Sequence, residues 1–283
     1  MSKRAIFEKA IIYLILTMVL IIVITPLVYT IASSFKTNSE IIADPGRIFP
    51  EKPTLENFKK AWTSDVFDIK NMLFNSLYYT IVCLAATVLI STMSGYVFAR
   101  GEFRGKKFWF AALSTLMFFS MGSVTIYPMM DVLNIIHIPK NLHGLVFIRI
   151  FSLHITNIYL VRSYVNSLPK ELDESARIDG CSFIGIFFRI IAPLLKPIMA
   201  TIGILAFQSS WNDYLMPMIF TLGAPHQRPL IVGLVALSKS GESAANWNLV
   251  LAGTTVSLIP VLVAYAFGNR YFVSGLAAGA VKG

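Results

Sequence analysis

Two long runs without a charge, residues 11–34 and 71–99, constrain this chain more than any other feature. A helix needs roughly 20 mostly apolar residues to cross about 30 Å of hydrocarbon, and in lipid its backbone polar groups must be satisfied within the segment. Runs of this length therefore read as membrane-spanning helices. The same criterion along the rest of the chain predicts six spans, near 11–33, 75–99, 108–131, 142–163, 195–220 and 249–270. With 55% apolar and 14% charged residues among 283, residues 1–283 read as a single transmembrane domain, all-α and polytopic. Lys3, Arg4 and Lys9 before the first run imitate a signal peptide. The run is too long for a signal h-region and no small-x-small cleavage site follows, so it is expected to stay attached.

Orientation follows from lysine and arginine placement. With the amino terminus inside, the inner segments hold fourteen basic residues against six acidic ones, and the short loop from Arg100 through Arg104, Lys106 and Lys107 is the clearest case. Both termini and the loop 164–194 are then cytoplasmic. This asymmetry accounts for the net charge of +9, and no interleaved basic and aromatic pattern points to nucleic acid. Cys83 lies mid-span and Cys181 in a cytoplasmic loop, so neither a disulfide nor a metal framework is expected. His137, His143, His154 and His226 are scattered, with no HExxH spacing; no GxSxG and no GxxxxGK[ST] occurs. Catalysis on this chain is not expected, and neither is a bound cofactor or metal.

The outer segment 34–74 carries Asp44-Pro-Gly46, Pro50 and Pro53, which fix turns. Residues 54–62 read as a short amphipathic helix capped by Thr54, with Leu55, Phe58 and Trp62 on one face. In the fourth span Arg149, Ser152, Thr156, Tyr159 and Ser163 recur at steps of three and four, one polar stripe of a helix, with His154 and Asn157 beside it. Such a stripe faces other helices or a watery path. Arg149 and Asp213 each lie roughly 10 Å inside the outer end of a span. Charges at that depth are costly unless paired or wet, so the two are expected to pair or to face one cavity. The outer loop 221–247 has an apolar middle, residues 229–237, too short to span; it reads as re-entrant or surface-lying.

In the loop 164–194, Pro169 can open a helix, residues 170–179 hold no breaker, and Gly180 supplies a left-handed stop. Ser182 can cap a second short helix over 183–189. Leu172 and Ala176 lie one turn apart as an apolar patch, with Glu171, Glu174 and Asp179 around it. Such a surface suits docking into a protein groove; lying on the membrane is the competing reading.

The run Leu168-Pro-Lys-Glu-Leu-Asp-Glu-Ser-Ala-Arg-Ile-Asp-Gly180 resembles the coupling-loop signature of carbohydrate-uptake ABC permeases of the maltose type, most closely the second permease of the pair. The stretch Thr25-Pro26 through Lys36, residues 71–99 with their Asn75-Ser76 start, residues 207–215 with Trp211-Asn212-Asp213, and the final run 271–283 match as well, so the resemblance covers nearly the whole chain. Ser175 stands where the family usually has Ala, a small change that still packs. The resemblance implies a type I importer permease fold, six helices with a cytoplasmic coupling helix, in a multi-pass subunit of a bacterial cytoplasmic membrane. It implies that Leu172, Glu174, Ser175, Ala176, Asp179 and Gly180 couple to a cytoplasmic ATPase, and that the tail Gly279, Ala280, Val281, Lys282 and Gly283 reaches toward the ATPase dimer interface. It implies a second, different permease, two ATPase subunits carrying ATP and magnesium, and an external solute-binding protein that delivers an oligosaccharide. Tyr127, Arg149, Asn157, Gln208, Asn212 and Asp213 are the candidates for the substrate path, because aromatic rings stack on sugars and amides bond hydroxyls. A glycerol-phosphate or polyol substrate is the alternative, with Arg149 as anion partner. A self-sufficient ion-coupled carrier using Arg149, Asp213 and Asp131 is a third reading, against which stands the lack of a detectable internal repeat.

Overall fold

The computed structural model describes residues 3–64, 67–119, 122–239 and 246–280, with side chains from Phe7 to Gly268 apart from Ser123. Among these, all regular structure is helical. In chain order the helices are α1 (Lys3–Ser33), α2 (Asn38–Ala43), α3 (Glu56–Thr63), α4 (Ile69–Arg100), α5 (Lys106–Leu116), α6 (Ile126–Ile135) and α7 (Leu142–Ile150). There follow α8 (Ile155–Ser167), α9 (Glu171–Ile178), α10 (Phe183–Leu194), α11 (Lys196–Trp211), α12 (Leu215–Phe220), α13 (Leu230–Lys239) and α14 (Trp247–Ala280). The segments 7–33, 69–100, 142–167 and 247–268 are long and apolar enough to cross a bilayer, and α10 with α11 forms a further apolar pair bent by 80°.

Three predicted spans are interrupted. Residues 108–131 are not one helix: α5 ends at Leu116, Gly122 adopts the left-handed φ of +52°, and the chain passes a short 3₁₀ turn before α6. An averaged hydropathy run conceals such a break. Residues 195–220 divide into α11 and α12 because Pro217, placed in the first turn of α12, cannot donate to the carbonyl of Asp213, and its ring would crowd that carbonyl. The fourth span breaks at residues 151–154, so the polar stripe from Arg149 to Ser163 does not run along a single helix. No proline or glycine marks that break.

Contacts gather into two compact units, residues 1–73 with 230–259, and residues 74–229 with 260–283. In the first unit, α1 is exposed along its apolar length. Beyond it, the segment that follows α1 is fastened by buried polar groups. Lys36 is wholly buried, donates to the carbonyl of Arg47 and lies 5.5 Å from the Tyr29 ring centroid. Asn57 on α3 donates to the carbonyls of Ser34 and Lys36, each at 2.7 Å, and accepts from Asn248 at 2.8 Å. This anchor seats the Asn57 face of α3 inward. Asn57 and Ala61 are buried, and of the expected apolar face Phe58 is half-buried against Phe35, with ring centroids 5.2 Å apart, whereas Leu55 and Trp62 are exposed. The Thr54 hydroxyl does accept the N–H of Glu56 at 3.1 Å. The apolar segment 229–237 is largely α13, packed by Leu230 and Leu234 on Ala61, Phe67 and Ile69.

In the second unit, α4 supplies a continuous rod. Gly95 lets α8 approach closely: a Cβ there would stand 2.5 Å from the Cβ of Val161. Small residues at such crossings are what allow helices in membranes to pack by van der Waals contact. One apolar cluster forms around Tyr96, Val161, Val165, Ala176, Ile186 and Leu195, and another around Tyr79, Leu133, Leu145 and Phe220. Cys83 is buried and Cys181 half-buried, both free.

Candidate functional site

The second unit holds two sites along the α4 rod, one at its C-terminal end and one near its middle. At the first, α9 follows the expected pattern. Gly180 has φ +78°, the N–H of Cys181 bonds the Ala176 carbonyl at 2.9 Å, and the N–H of Gly180 bonds the Arg177 carbonyl at 3.0 Å. That pair of bonds is a Schellman stop, which requires the left-handed residue. Ser182 then accepts the N–H of Gly185 and starts α10, whose last turns widen into a π-helix over Phe187–Ile191. Pro169 stands just before the helix rather than in its first turn.

The orientation of α9 corrects the expected docking patch. Ala176 is buried in the apolar cluster beneath and Leu172 is half-buried, so that stripe faces the chain's own core. The outward face carries Glu174, Ser175, Asp179 and Gly180, and its apolar residue is Ile178, 88% exposed, with Ile184 and Phe188 also exposed on α10. Ile178 lies one turn after Glu174, a spacing from which it was legible.

The residue that sequence reasoning missed here is Asp173. Its carboxylate is buried, meets Arg100 Nε at 3.1 Å and accepts from the Tyr96 hydroxyl at 2.8 Å. Arg100 Nη2 also donates to the carbonyls of Val165 and Leu168, at 3.1 and 2.6 Å. The last turns of α4, the end of α8 and the start of α9 are thus tied by one charged, satisfied network. Of the tail, Val281, Lys282 and Gly283 lie outside the described residues, and Gly279 and Ala280 are described only as the backbone end of α14.

At the second site a cavity of about 200 Å³ opens among Tyr79, Cys83 and Thr87 of α4, Arg149 of α7, His154 and Asn157 at the start of α8, and Ser209, Ser210 and Asp213 at the end of α11. Steps of four put Tyr79, Cys83 and Thr87 on one face of α4. The cavity lies where α7 gives way to α8 and α11 to α12. Irregular backbone at membrane depth is tolerated where it lines such a space. Arg149 and Asp213 pair as expected, Nη2 to Oδ2 at 2.6 Å, and the Tyr79 hydroxyl donates to the same oxygen at 2.7 Å. Thr87 Oγ1 and His154 Nε2 lie 3.0 Å apart.

Among the path candidates, Arg149, Asn157 and Asp213 therefore come together. Gln208 and Asn212 are outside the lining; the Asn212 amide donates to the Gln208 carbonyl at 2.9 Å. Tyr127 is exposed on α6 and is not among the lining residues. Tyr79, Cys83, Thr87, His154, Leu205, Ala206, Ser209 and Ser210 complete the cavity and were not among the candidates. The i, i+4 spacing in α4 was the available signal for the first three. Among the described residues no cluster of His, Cys, Asp and Glu could hold a metal ion.

Residues 9–276 match the family described as binding-protein-dependent transport system inner membrane component. The chain is 32% identical to a probable ABC transporter permease, YurM, of Bacillus subtilis over 96% of this chain and 88% of that protein. It is 31% identical to the galactooligosaccharide transport permease GanQ of the same organism, covering 96% and 94%. It is also 31% identical to the arabinooligosaccharide transport permease AraQ of Halalkalibacterium halodurans, covering 93% and 92%. In three dimensions it is similar to a chain of a bacterial ABC transporter involved in the import of the acidic polysaccharide alginate, with a TM-score of 0.83 and 23% identity over 96% of this chain and 99% of that one.

Proposed function

The chain belongs to the binding-protein-dependent transport system inner membrane components, and from that membership we infer that it forms half of an ATP-driven import path for an oligosaccharide. It is a multi-pass permease subunit of an ABC importer with the type I permease fold, and such a subunit works with a further permease, an ATPase and a solute-binding protein. The finer assignment is ours: a different second permease, two ATPase subunits that bind ATP and magnesium, both termini in the cytoplasm of a bacterial cell, and an external binding protein presenting the sugar.

The observation that carries this reading is the pairing of the two sites on one helix. The network of Asp173, Arg100 and Tyr96 fastens α9 to one end of α4, and Tyr79, Cys83 and Thr87 of the same helix line the cavity. From Tyr96 to Tyr79 the rod runs about 25 Å. A push on the exposed face of α9 is delivered to the cavity without a flexible joint between. Sugar selectivity is supported by the lining, in which hydroxyls and an amide converge, and by the oligosaccharides named for the relatives.

Uptake in cells tests the coupling role. Glu174→Lys, which reverses a charge on the exposed face, and Gly180→Asp, which strains a left-handed residue by about 1–2 kcal/mol, are expected to abolish accumulation of labelled oligosaccharide while the subunit still appears in the membrane. Undiminished uptake by both variants would remove α9 as the coupling element.

A further inference from the structure

The fold leaves the charge of its cargo open, since it also serves an importer of an acidic polysaccharide. The cavity does not. Its charged lining residues are Arg149 and Asp213, and they neutralise one another at 2.6 Å. The Tyr79 hydroxyl donates to the same carboxylate oxygen, so the guanidinium's charge is already paired, with Nη2 committed to Asp213. Thr87 and His154 occupy each other at 3.0 Å. Beside the paired charges, the lining offers a ligand the Asn157 amide and the Ser209 and Ser210 hydroxyls. These are uncharged groups, able to donate and accept, and they match vicinal sugar hydroxyls. The space equals roughly six or seven waters, enough for one hexose ring.

We propose that this cavity is a subsite for an uncharged, hydroxyl-rich sugar ring and that it discriminates against rings bearing a carboxylate. The proposal rests on the carbohydrate reading above and adds the charge class of the sugar. A uronate approaching Arg149 has to come alongside the Asp213 carboxylate, and like charges juxtaposed in a partly buried site repel. The Arg149–Asp213 pair thus acts as a charge filter: the same arginine that would attract an acidic sugar is withheld by its partner. Asp213→Asn keeps the shape and an oxygen to accept from Tyr79, yet releases the guanidinium.

Saturation-transfer NMR on the complete transporter in nanodiscs reads weak binding directly, without the binding protein's own selectivity. The probes are galactotriose, maltotriose and arabinotriose as neutral ligands and trigalacturonate as the acidic one. At least one neutral trisaccharide is expected to bind the unmodified transporter at least about tenfold more tightly than trigalacturonate. In Asp213→Asn the ratio is expected to shift toward trigalacturonate by about tenfold or more. Binding of trigalacturonate to the unmodified transporter as tightly as any neutral probe overturns the filter and leaves the carbohydrate reading intact. An unchanged ratio in a folded Asp213→Asn transporter overturns it too, and the comparison in the unmodified protein stands even if that variant does not fold. Failure of all four saccharides to bind overturns the carbohydrate reading itself.

Discussion

Asp173→Ala is expected to stop accumulation of substrate while ATP hydrolysis by the assembled complex continues. The carboxylate and its partner Arg100 are each 5% exposed, and removal leaves a buried guanidinium holding only the carbonyls of Val165 and Leu168. Breaking one side of a buried pair costs about 3–5 kcal/mol, because the surviving charge stays desolvated. The loss falls at the joint between α4 and α9, so its effect is on transmission before global folding. Asp173→Asn, which can still accept from Tyr96, is expected to lie between the variant and the parent protein. Uptake and hydrolysis measured together in proteoliposomes give the number of ATP molecules spent per sugar moved. An unchanged ratio in Asp173→Ala would show that α9 is held by something other than this network.

The second large effect is expected at Gly95. Any side chain there meets Val161 at 2.5 Å and the backbone nitrogen of Arg162 at 3.1 Å. A rotamer change moves only Cγ1 of Val161, leaving its Cβ and the Arg162 nitrogen in place, so α4 and α8 must move apart. Overpacking of this kind costs about 1–3 kcal/mol for a small insertion. Gly95→Leu is expected to lower the thermal unfolding midpoint in detergent sharply, Gly95→Ala less so, and Gly95→Ala with Val161→Ala to recover part of the loss. A Gly95→Leu protein that unfolds at the parent's temperature would contradict the close crossing.

What the residues revealed beforehand was local. Gly180 after an unbroken helical run announced its left-handed stop, Ser182 its cap, and the depth of Arg149 and Asp213 their need for each other. Each of these depends on neighbours in sequence or on the cost of an isolated charge. The breaks were harder. Pro217 marks the division of α11 from α12, four residues after Asp213, yet a hydropathy run carries no penalty for a proline. Residues 151–154 contain neither proline nor glycine, so tertiary packing decides that break. Asp173 and Arg100 are 73 residues apart, and no periodicity within one helix encodes such a partner. The burial of Asn57 on α3 was not legible either, since its partners Ser34, Lys36 and Asn248 are distant in sequence. The outside of a membrane protein tolerates oily side chains, and apolar periodicity is a weaker guide to burial there than in water.

The two faces of α9 have separate duties. Ala176 and Asp173 belong to the chain's own interior, while Glu174, Ser175 and Ile178 are exposed. A change on the outer face therefore leaves the helix seated. Under the coupling role proposed for α9, partner choice becomes exchangeable: replacing a few outward residues, Ile178 and Ile184 foremost, would re-address the subunit to a different motor without rebuilding its cavity.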